Sequence, residues 1–175
     1  MVQTSFRLDP GDEWLHSNLA SWWLAYLATI GPAGPHVTPV AFVWVHQAVW
    51  ISSQIHTQRF VDLQRDPRVA MVIDPMGADP TTRYVDIQGD ATVVGQVPFL
   101  APQTPEIDEV EQRLAEKSGF PREVQYDGLH AWVRVAPRKI LRVTSVIAHH
   151  NEAEHFAAGM ARAEKAHPTT PTDQG

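Results

Sequence analysis

Three hydroxyl side chains and one arginine stand close together in the stretch WISSQIHTQR, residues 50–59. Ser52 and Ser53 precede a short polar segment, and Thr57 and Arg59 follow it. Hydroxyl groups donate single hydrogen bonds, whereas arginine carries a permanent charge on a planar fork that matches phosphate oxygens. A helix that begins near Thr57 would add the partial positive charge of its amino end. The pattern therefore indicates a site for one phosphate group.

The same residues have a plainer interpretation. Arg59 can lie on a solvated face of its helix, and the two serines can simply end an edge strand. The sequence leaves both interpretations open, because they differ only in whether the arginine and the hydroxyls meet in space.

The composition is that of one globular domain of ordinary size. The chain has 175 residues, of which 43% are hydrophobic and 19% charged. No apolar run reaches the roughly 20 residues that span a bilayer. A formal net charge of -6 opposes broad attraction to nucleic acid, and the absence of cysteine excludes disulfides and thiolate ligands. No charged and apolar leader is visible at the start, so we expect a cytoplasmic protein without membrane or nucleic-acid partners.

Hydrophobic alternation and turn residues predict a mainly β fold with peripheral helices. Asp9 followed by Pro10 predicts the start of a first helix, residues 10–20. Helical spacing of apolar residues predicts two more helices, over residues 57–65 and 106–118. Short alternating segments bounded by turn residues predict seven strands, which are 21–30, 36–46, 48–53, 69–73, 84–94, 129–135 and 139–147.

Single residues predict the turns, bulges and ends of these strands. Gln47 predicts a turn between two antiparallel strands, Gly89 a bulge at a barrel corner, and Pro137 the end of a strand. Strands of this kind close into a curved antiparallel sheet, so we expect a β-barrel of six or seven strands. Residues 1–150 are expected to form this single domain, and residues 151–175 a C-terminal helix and a flexible tail.

The order of these pieces resembles a known family of flavin-binding proteins. LATIGPAGPHVTPVAF begins at Leu27, the Thr-Gln-Arg segment opens the second helix, and VDIQGDA begins at Val85. In this order and spacing they resemble the pyridoxamine 5'-phosphate oxidase-like family, the FMN-binding split barrel, including its deazaflavin-using relatives. The likeness extends over residues 15–146. It implies a split β-barrel and a homodimer with a cofactor in each of two clefts between the subunits.

The resemblance also implies which residues hold the cofactor. In the family, residues of the second and third strands and of the following helix bind the phosphate and the edge of the isoalloxazine ring. Carried over to this chain, these positions are Thr38, Pro39, Val40, Ser52, Ser53, Thr57, Gln58 and Arg59. His56 is the one histidine that the resemblance places at the cleft, and a solvated turn is the alternative for it.

Three further residues complete the predicted cleft. Gln88 is a polar residue on a barrel strand, and it can meet the polar edge of a flavin or pack at an interface. Trp132 and Arg134 share a strand face in the region that resembles the partner subunit's contribution. Trp132 can cover the ring or pack in the core of the dimer.

One position departs from the family. Many relatives carry asparagine where this chain has Asp62. A carboxylate there can pair with Arg59 or Arg65, which would reduce the positive potential offered to a phosphate.

The function that the resemblance implies is oxidoreduction, with a hydride transferred to or from a small organic substrate through FMN or the deazaflavin F420. FMN is favoured, because the long polyanionic tail of F420 suits a more basic surface than this acidic chain offers. The alternative is a non-catalytic flavin- or haem-binding protein on the same barrel. His149, His150 and His155 are candidate metal or haem ligands, but their spacing matches no recognised zinc pattern, so no metal site is predicted.

Overall fold

The computed structural model describes residues 2–76, 78–79, 81–100 and 104–146, and one antiparallel sheet dominates them. The predicted C-terminal helix and tail lie outside the described residues. The strands are β1 (Val2–Leu8), β2 (Leu24–Gly31), β3 (Gly34–Ala41), β4 (Val43–Val45), β5 (Ala48–Gln54), β6 (Arg68–Ile73), β7 (Thr82–Val94) and β8 (His130–Val146). The helices are α1 (Glu13–Leu19), α2 (Gln58–Arg65) and α3 (Pro105–Ser118), with a short 3-10 turn at Arg122–Gln125. Within this part of the chain, none of the helices has the length and hydropathy that a membrane span requires.

The sheet curls into an open barrel. Its strands are hydrogen-bonded in the order β3, β2, β6, β7, β8, β5, β4, and β1 pairs with the second half of β8. β3 and β5 come close to each other without forming a hydrogen-bonded pair, so the barrel is split along this line. The predicted mainly β split barrel with peripheral helices is confirmed, and the described residues contain eight strands rather than six or seven.

Strand alternation places apolar side chains on both faces of the sheet and so produces two cores. The inner core fills the barrel with residues such as Leu27, Met71 and Ile87, and α2 adds Phe60 and Leu63 to it. The outer core lies between the sheet and α3, and its large members are Trp50, Phe99, Ile107, Val110, Leu114 and Trp132. Burial of this apolar surface is the main term that favours the fold.

The first helix begins later than the sequence indicates. Its N-cap is Asp12 instead of Asp9, and the Asp12 carboxylate accepts a hydrogen bond from the Leu15 N–H at 3.2 Å. Pro10 and Gly11 form a turn that is closed by the hydrogen bond from the Asp12 N–H to the Asp9 carbonyl. Pro10 therefore belongs to the turn and does not open the helix.

The predicted strand 36–46 is divided in two. Phe42 interrupts it, and the Phe42 N–H donates to the carbonyl of Trp23. The predicted turn at Gln47 is confirmed, since His46 and Gln47 have φ of 49° and 58°. Two consecutive residues in this left-handed region are what a two-residue type I′ hairpin requires.

Pro137 does not end a strand, because it stands beside a bulge in β8 itself. β8 runs through Pro137 without a break, and its partner there is Gly89, where the register between β7 and β8 shifts. The ladder is locally disrupted at a bulge, so the N–H that proline lacks is not needed. The predicted irregularity at Gly89 is confirmed as a register shift in which Arg138 of β8 is the extra residue. A Cβ at Gly89 would lie 2.3 Å from the carbonyl oxygen of Ala136.

Replacing Gly89 by alanine should destabilise the protein by about 2–4 kcal/mol, because the new methyl group must displace the β8 backbone. Urea unfolding followed by tryptophan fluorescence measures this loss. The matched control is Gly11→Ala, where the nearest atom to a new Cβ would be 3.7 Å away. For the control we expect a change within about 0.5 kcal/mol. Equal losses in the two variants would contradict the role assigned to Gly89.

Candidate functional site

Three of the predicted cofactor-binding residues meet at the split between β3 and β5. Arg59 lies in the first turn of α2 and reaches across the split. Its Nε donates to Oγ of Ser53 on β5, and its Nη1 donates to Oγ1 of Thr38 on β3, both at 3.2 Å. We call Thr38, Ser53 and Arg59 the Arg59 cluster. One guanidinium thus joins two strands that the backbone leaves unpaired.

Arg59 has no carboxylate partner within ion-pair distance among the described residues. Its side chain is half-buried, and this burial lowers the pKa of the guanidinium below its ordinary value. The group stays charged at neutral pH, as arginine does in proteins. Of its five N–H donors, the two hydroxyls occupy two, so donors remain for an anion.

Thr57 is the N-cap of α2. Its hydroxyl accepts a hydrogen bond from the Phe60 N–H at 3.4 Å and donates to the Gln54 carbonyl at 2.7 Å. The predicted start of the helix is confirmed. The predicted role of Thr57 as a phosphate donor is not supported, because its one hydroxyl proton is already used within the turn.

Asp62 does not pair with an arginine. Its carboxylate is fully buried and accepts hydrogen bonds from Oγ1 of Thr29 at 3.0 Å and from Nε2 of Gln58 at 2.7 Å. His36 Nδ1 lies 3.9 Å away. The expectation that Asp62 would form an ion pair with Arg59 or Arg65 is therefore wrong. Gln58, which was predicted to bind the cofactor, donates its amide hydrogen bond to Asp62. The positive potential of Arg59 remains available.

The two serines of β5 lie on opposite faces of the sheet. Successive side chains of a strand alternate, so Ser53 is buried on the side of Arg59 and Ser52 lines a groove on the other side. The structure therefore brings Ser53, and not Ser52, to Arg59, and a role for Ser52 at the cofactor stays a prediction.

This outer groove has a volume of about 240 Å³ and is lined by Trp23, Ala41, Ser52, Leu114, Ser118, Phe120 and His130. Trp23 and Phe120 are 39% and 65% exposed, so two aromatic side chains are accessible to a planar ligand. His130 Nδ1 lies 2.9 Å from Oδ1 of Asp127. The sequence analysis missed Trp23, Phe120 and His130, because only the fold shows that the end of α3 returns to the edge of β3.

The other predicted residues are placed as follows. Pro39 is exposed on β3, and the Val40 side chain belongs to the inner core, so Val40 can offer a ligand only its backbone. His56 is exposed in the turn before α2. Gln88 lines a different groove, on the outward face of β2, β6 and β7, so the structure does not bring it to the Arg59 cluster.

Trp132 is not accessible to a ligand. Its side chain is fully buried in the outer core, where it stacks on Phe99 with ring centroids 5.2 Å apart. Its Nε1 donates to Oε1 of Glu111 at 3.4 Å. The predicted contact with a flavin is wrong, because α3 and Phe99 cover this face of β8. The tryptophan packs within one chain rather than in a dimer core, and Arg134 on the same strand face is half-buried.

Metal ligands do not gather in the described part of the chain. No group of three or more histidine, aspartate or glutamate side chains within it is placed to hold a metal ion. His149, His150 and His155 lie outside the described residues.

Asp62→Ala should lower the free energy of unfolding by about 1–3 kcal/mol, because it removes the closer acceptor of the buried Thr29 hydroxyl and leaves it only the His36 carbonyl at 3.5 Å. Urea unfolding measures the loss. The matched control is Asp9→Ala at an exposed carboxylate, for which we expect a change within about 0.5 kcal/mol. If the two variants lose the same stability, Asp62 is not the buried acceptor that the geometry indicates.

Solved structures of low sequence identity share the fold. The conserved hypothetical protein Rv2991 from Mycobacterium tuberculosis is 24% identical, with a TM-score of 0.60 over 74% of this chain and 82% of that one. An F420 reductase is 20% identical, with a TM-score of 0.56 over 74% of this chain and 97% of that one. HutZ, a haem storage protein from Vibrio cholerae, is 17% identical, with a TM-score of 0.60 over 83% of this chain and 100% of that one.

A family model gives the more specific result. Comparison with curated proteins finds no match. The model described as pyridoxamine 5'-phosphate oxidase, however, matches residues 18–166, which is far more than half of the chain. The site at the split, the barrel around it and this match lead to one conclusion: the chain belongs to the pyridoxamine 5'-phosphate oxidase family.

Proposed function

We propose that this chain is an oxidoreductase that binds FMN, or the deazaflavin F420, and transfers a hydride to or from a small organic substrate. The observation that carries the proposal is Arg59, a half-buried cation whose hydrogen-bond partners in the described part of the chain are neutral hydroxyls. Burying a charge is costly unless a counter-ion accompanies it, so such a site favours an anionic ligand.

The residues of the Arg59 cluster fit the phosphate end of such a cofactor. Ser53 and Thr38 accept from Arg59 through their oxygens. Ser53 is fully buried and orients the guanidinium, whereas the half-buried Thr38 hydroxyl still has its own proton to donate to a ligand. The remaining guanidinium donors and the amino end of α2 complete a set of groups suited to a phosphate. When bound, the ring of the cofactor supplies hydride transfer through its N5 or C5 position. The protein contributes binding, orientation and exclusion of water.

The outer groove supports a place for the planar ring. It lies on the other face of β5, where Ser52 borders it, and a bound cofactor would pass over the edge of β5 at the split to reach both this groove and the Arg59 cluster. The groove presents the accessible aromatic side chains of Trp23 and Phe120. A flat conjugated ring gains both apolar burial and stacking on such walls. FMN is favoured over F420, because a chain of net charge -6 is poorly suited to a long polyanionic tail.

We propose further that the protein is a homodimer, as the family resemblance implies. Adjacent strands β3, β2 and β6 expose apolar side chains on one outward face, among them Val37 at 59%, Tyr26 at 44% and Val72 at 39%. A contiguous exposed apolar face of this kind is typical of a protein interface. A second copy of the chain would cover it and close the cofactor cleft.

A second candidate function is non-catalytic binding of flavin or haem. His130 favours it, because this histidine lines the outer groove and one of its ring nitrogens is held by Asp127, which leaves the other nitrogen for a ligand. HutZ, which shares the fold, is a haem storage protein.

Titration of the purified protein with FMN, F420 and haem separates these candidates. We expect saturable FMN binding, and bleaching of the flavin absorbance on addition of reduced nicotinamide or reduced deazaflavin. Arg59→Ala should weaken FMN binding by about 1.5–3 kcal/mol, the usual loss for a hydrogen bond to a charged group.

Two controls define this experiment. Arg7→Ala removes an exposed arginine of β1 and should leave FMN affinity unchanged. Riboflavin lacks the phosphate, so its affinity should not respond to Arg59→Ala. An unchanged FMN affinity in Arg59→Ala would remove Arg59 from the site. A Soret band together with absence of flavin binding would favour the haem candidate.

Val37→Asp should dissociate the dimer, because it places a charge in the proposed apolar interface. Light scattering coupled to size-exclusion chromatography should give twice the mass of one chain for the wild type and a single chain mass for the variant. Thr81→Asp, at an exposed position outside this face, is the control and should remain dimeric. A monomeric wild type would contradict the proposed dimer.

A further inference from the structure

A cavity of about 420 Å³ lies between α1, β4 and α3, and it shares no lining residue with the Arg59 cluster or the outer groove. It is larger than the outer groove, and its volume is within the range of about 300–1,000 Å³ that is usual for small-molecule sites. Its lining residues are His16, Ala20, Val43, Trp44, Arg113, Glu116 and Lys117. The function proposed above makes no use of this cavity.

The side chains that line the cavity are rich in positive charge. Arg113 is 58% exposed, and its one described ion pair, with Glu109, is long at 3.9 Å. Glu116 is the single acid of the lining, and it accepts a hydrogen bond from Gln112 at 2.9 Å. Arg113 and Lys117 therefore outnumber the single acid, and His16 adds an imidazole to the lining.

Lys117 is held rigidly at the wall of the cavity. Its Nζ donates to the carbonyl oxygens of Leu19 and Phe42, both at 3.1 Å, and lies 4.4 Å from the centre of the Phe42 ring. An ammonium group has three N–H donors, so one remains for a ligand. Burial lowers the pKa of this ammonium to about 8. Because the group is already fixed, a ligand that binds it loses little side-chain entropy.

The lining also contains an aromatic side chain, Trp44, which is 8% exposed and is oriented by a hydrogen bond. Trp44 Nε1 donates to Nδ1 of His16 at 2.9 Å, which places the proton of the neutral imidazole on Nε2. Val43 and Ala20 add apolar surface. The cavity thus combines a fixed indole with a cluster of hydrogen-bond donors.

We propose that this cavity binds a small organic carboxylate with an apolar body, its carboxylate held by Arg113 and Lys117 and its body packed on Trp44. Arginine and lysine donors match a carboxylate, and the apolar walls match a hydrocarbon or aromatic body. A singly charged carboxylate fits better than a doubly charged phosphate, because Glu116 stands in the same lining and repels added negative charge.

Isothermal titration calorimetry of the full chain with benzoate tests this proposal. We expect saturable binding at about pH 7 that weakens at least about tenfold in Arg113→Met and in Lys117→Met, since each loses a charged donor. Arg7→Met removes the same charge at an exposed residue outside the cavity and should bind like the wild type. Benzamide, which has the same body without the charge, should bind at least about tenfold more weakly than benzoate.

The pH dependence of benzoate affinity tests whether the Lys117 ammonium binds the carboxylate. The titratable groups of the lining are His16 from α1 and Arg113, Glu116 and Lys117 from α3, and β4 adds none. Lys117 is charged below its pKa of about 8 and loses its proton above it. Benzoate affinity should therefore fall about tenfold between about pH 7 and about pH 9, and Lys117→Arg should remove this fall.

Two outcomes of the benzoate titration would overturn the proposal. Absence of saturable benzoate binding up to about 10 mM contradicts it, as does an affinity that is the same in Arg113→Met and wild type. Lys117→Met removes the donor to two backbone carbonyls and can fail to fold, so the exposed Arg113→Met variant decides in that case. FMN binding is measured separately, so failure here and failure of the proposed function are distinguishable.

Discussion

The hydrogen bonds of one guanidinium across the open edge of the barrel are the interaction on which the candidate site depends. β3 and β5 face each other without a backbone ladder, and Arg59 supplies the link through Thr38 and Ser53. The position of this arginine follows from the anchoring of α2, whose start is capped by Thr57 and whose inner face is buried in the barrel core. Without that anchoring the charge would move into solvent, where water would screen it.

The buried carboxylate of α2, Asp62, does not neutralise the arginine of the same helix. Asp62 is satisfied by the Thr29 hydroxyl and the Gln58 amide, and its one ion-pair contact among the described residues is with His36 and not with Arg59. The close approach of Gly31 to this carboxylate, where a Cβ would lie 2.9 Å from Oδ1, keeps the end of β2 packed over it. A single turn of α2 thus carries the Asp62 carboxylate, which is satisfied within the fold, and the Arg59 guanidinium, which keeps donors for a ligand.

Much of the fold could be predicted from the sequence, because the signals were local. Alternation in residues 84–94, the helical spacing before Gly119 and the turn at Gln47 each describe a segment that forms where it was predicted. Pro137 misled the prediction, because a proline is tolerated in a strand at a bulge, and this bulge in β8 depends on pairing with Gly89, which lies almost fifty residues away in sequence. β1 was missed, since seven residues at an edge derive their pairing from β8 rather than from their own pattern.

The sequence predicted the kind of site, one that binds a phosphate group, but only some of the residues that form it. Arg59, Ser53 and Thr38 were identified from residue chemistry and family order, and the structure brings them together. Ser52 and Trp132 were assigned to the same site, but strand alternation and the cover of α3 place both elsewhere. Such assignments depend on which face of the sheet a helix covers, and that is decided by tertiary packing.

A crystal structure of the protein with bound FMN tests the central claim most directly. It should show phosphate oxygens within hydrogen-bond distance of the Arg59 guanidinium and of the Thr38 hydroxyl, with the buried Ser53 still accepting from Arg59. A bound FMN whose phosphate lies elsewhere, with Arg59 still donating only to the two hydroxyls, would contradict it.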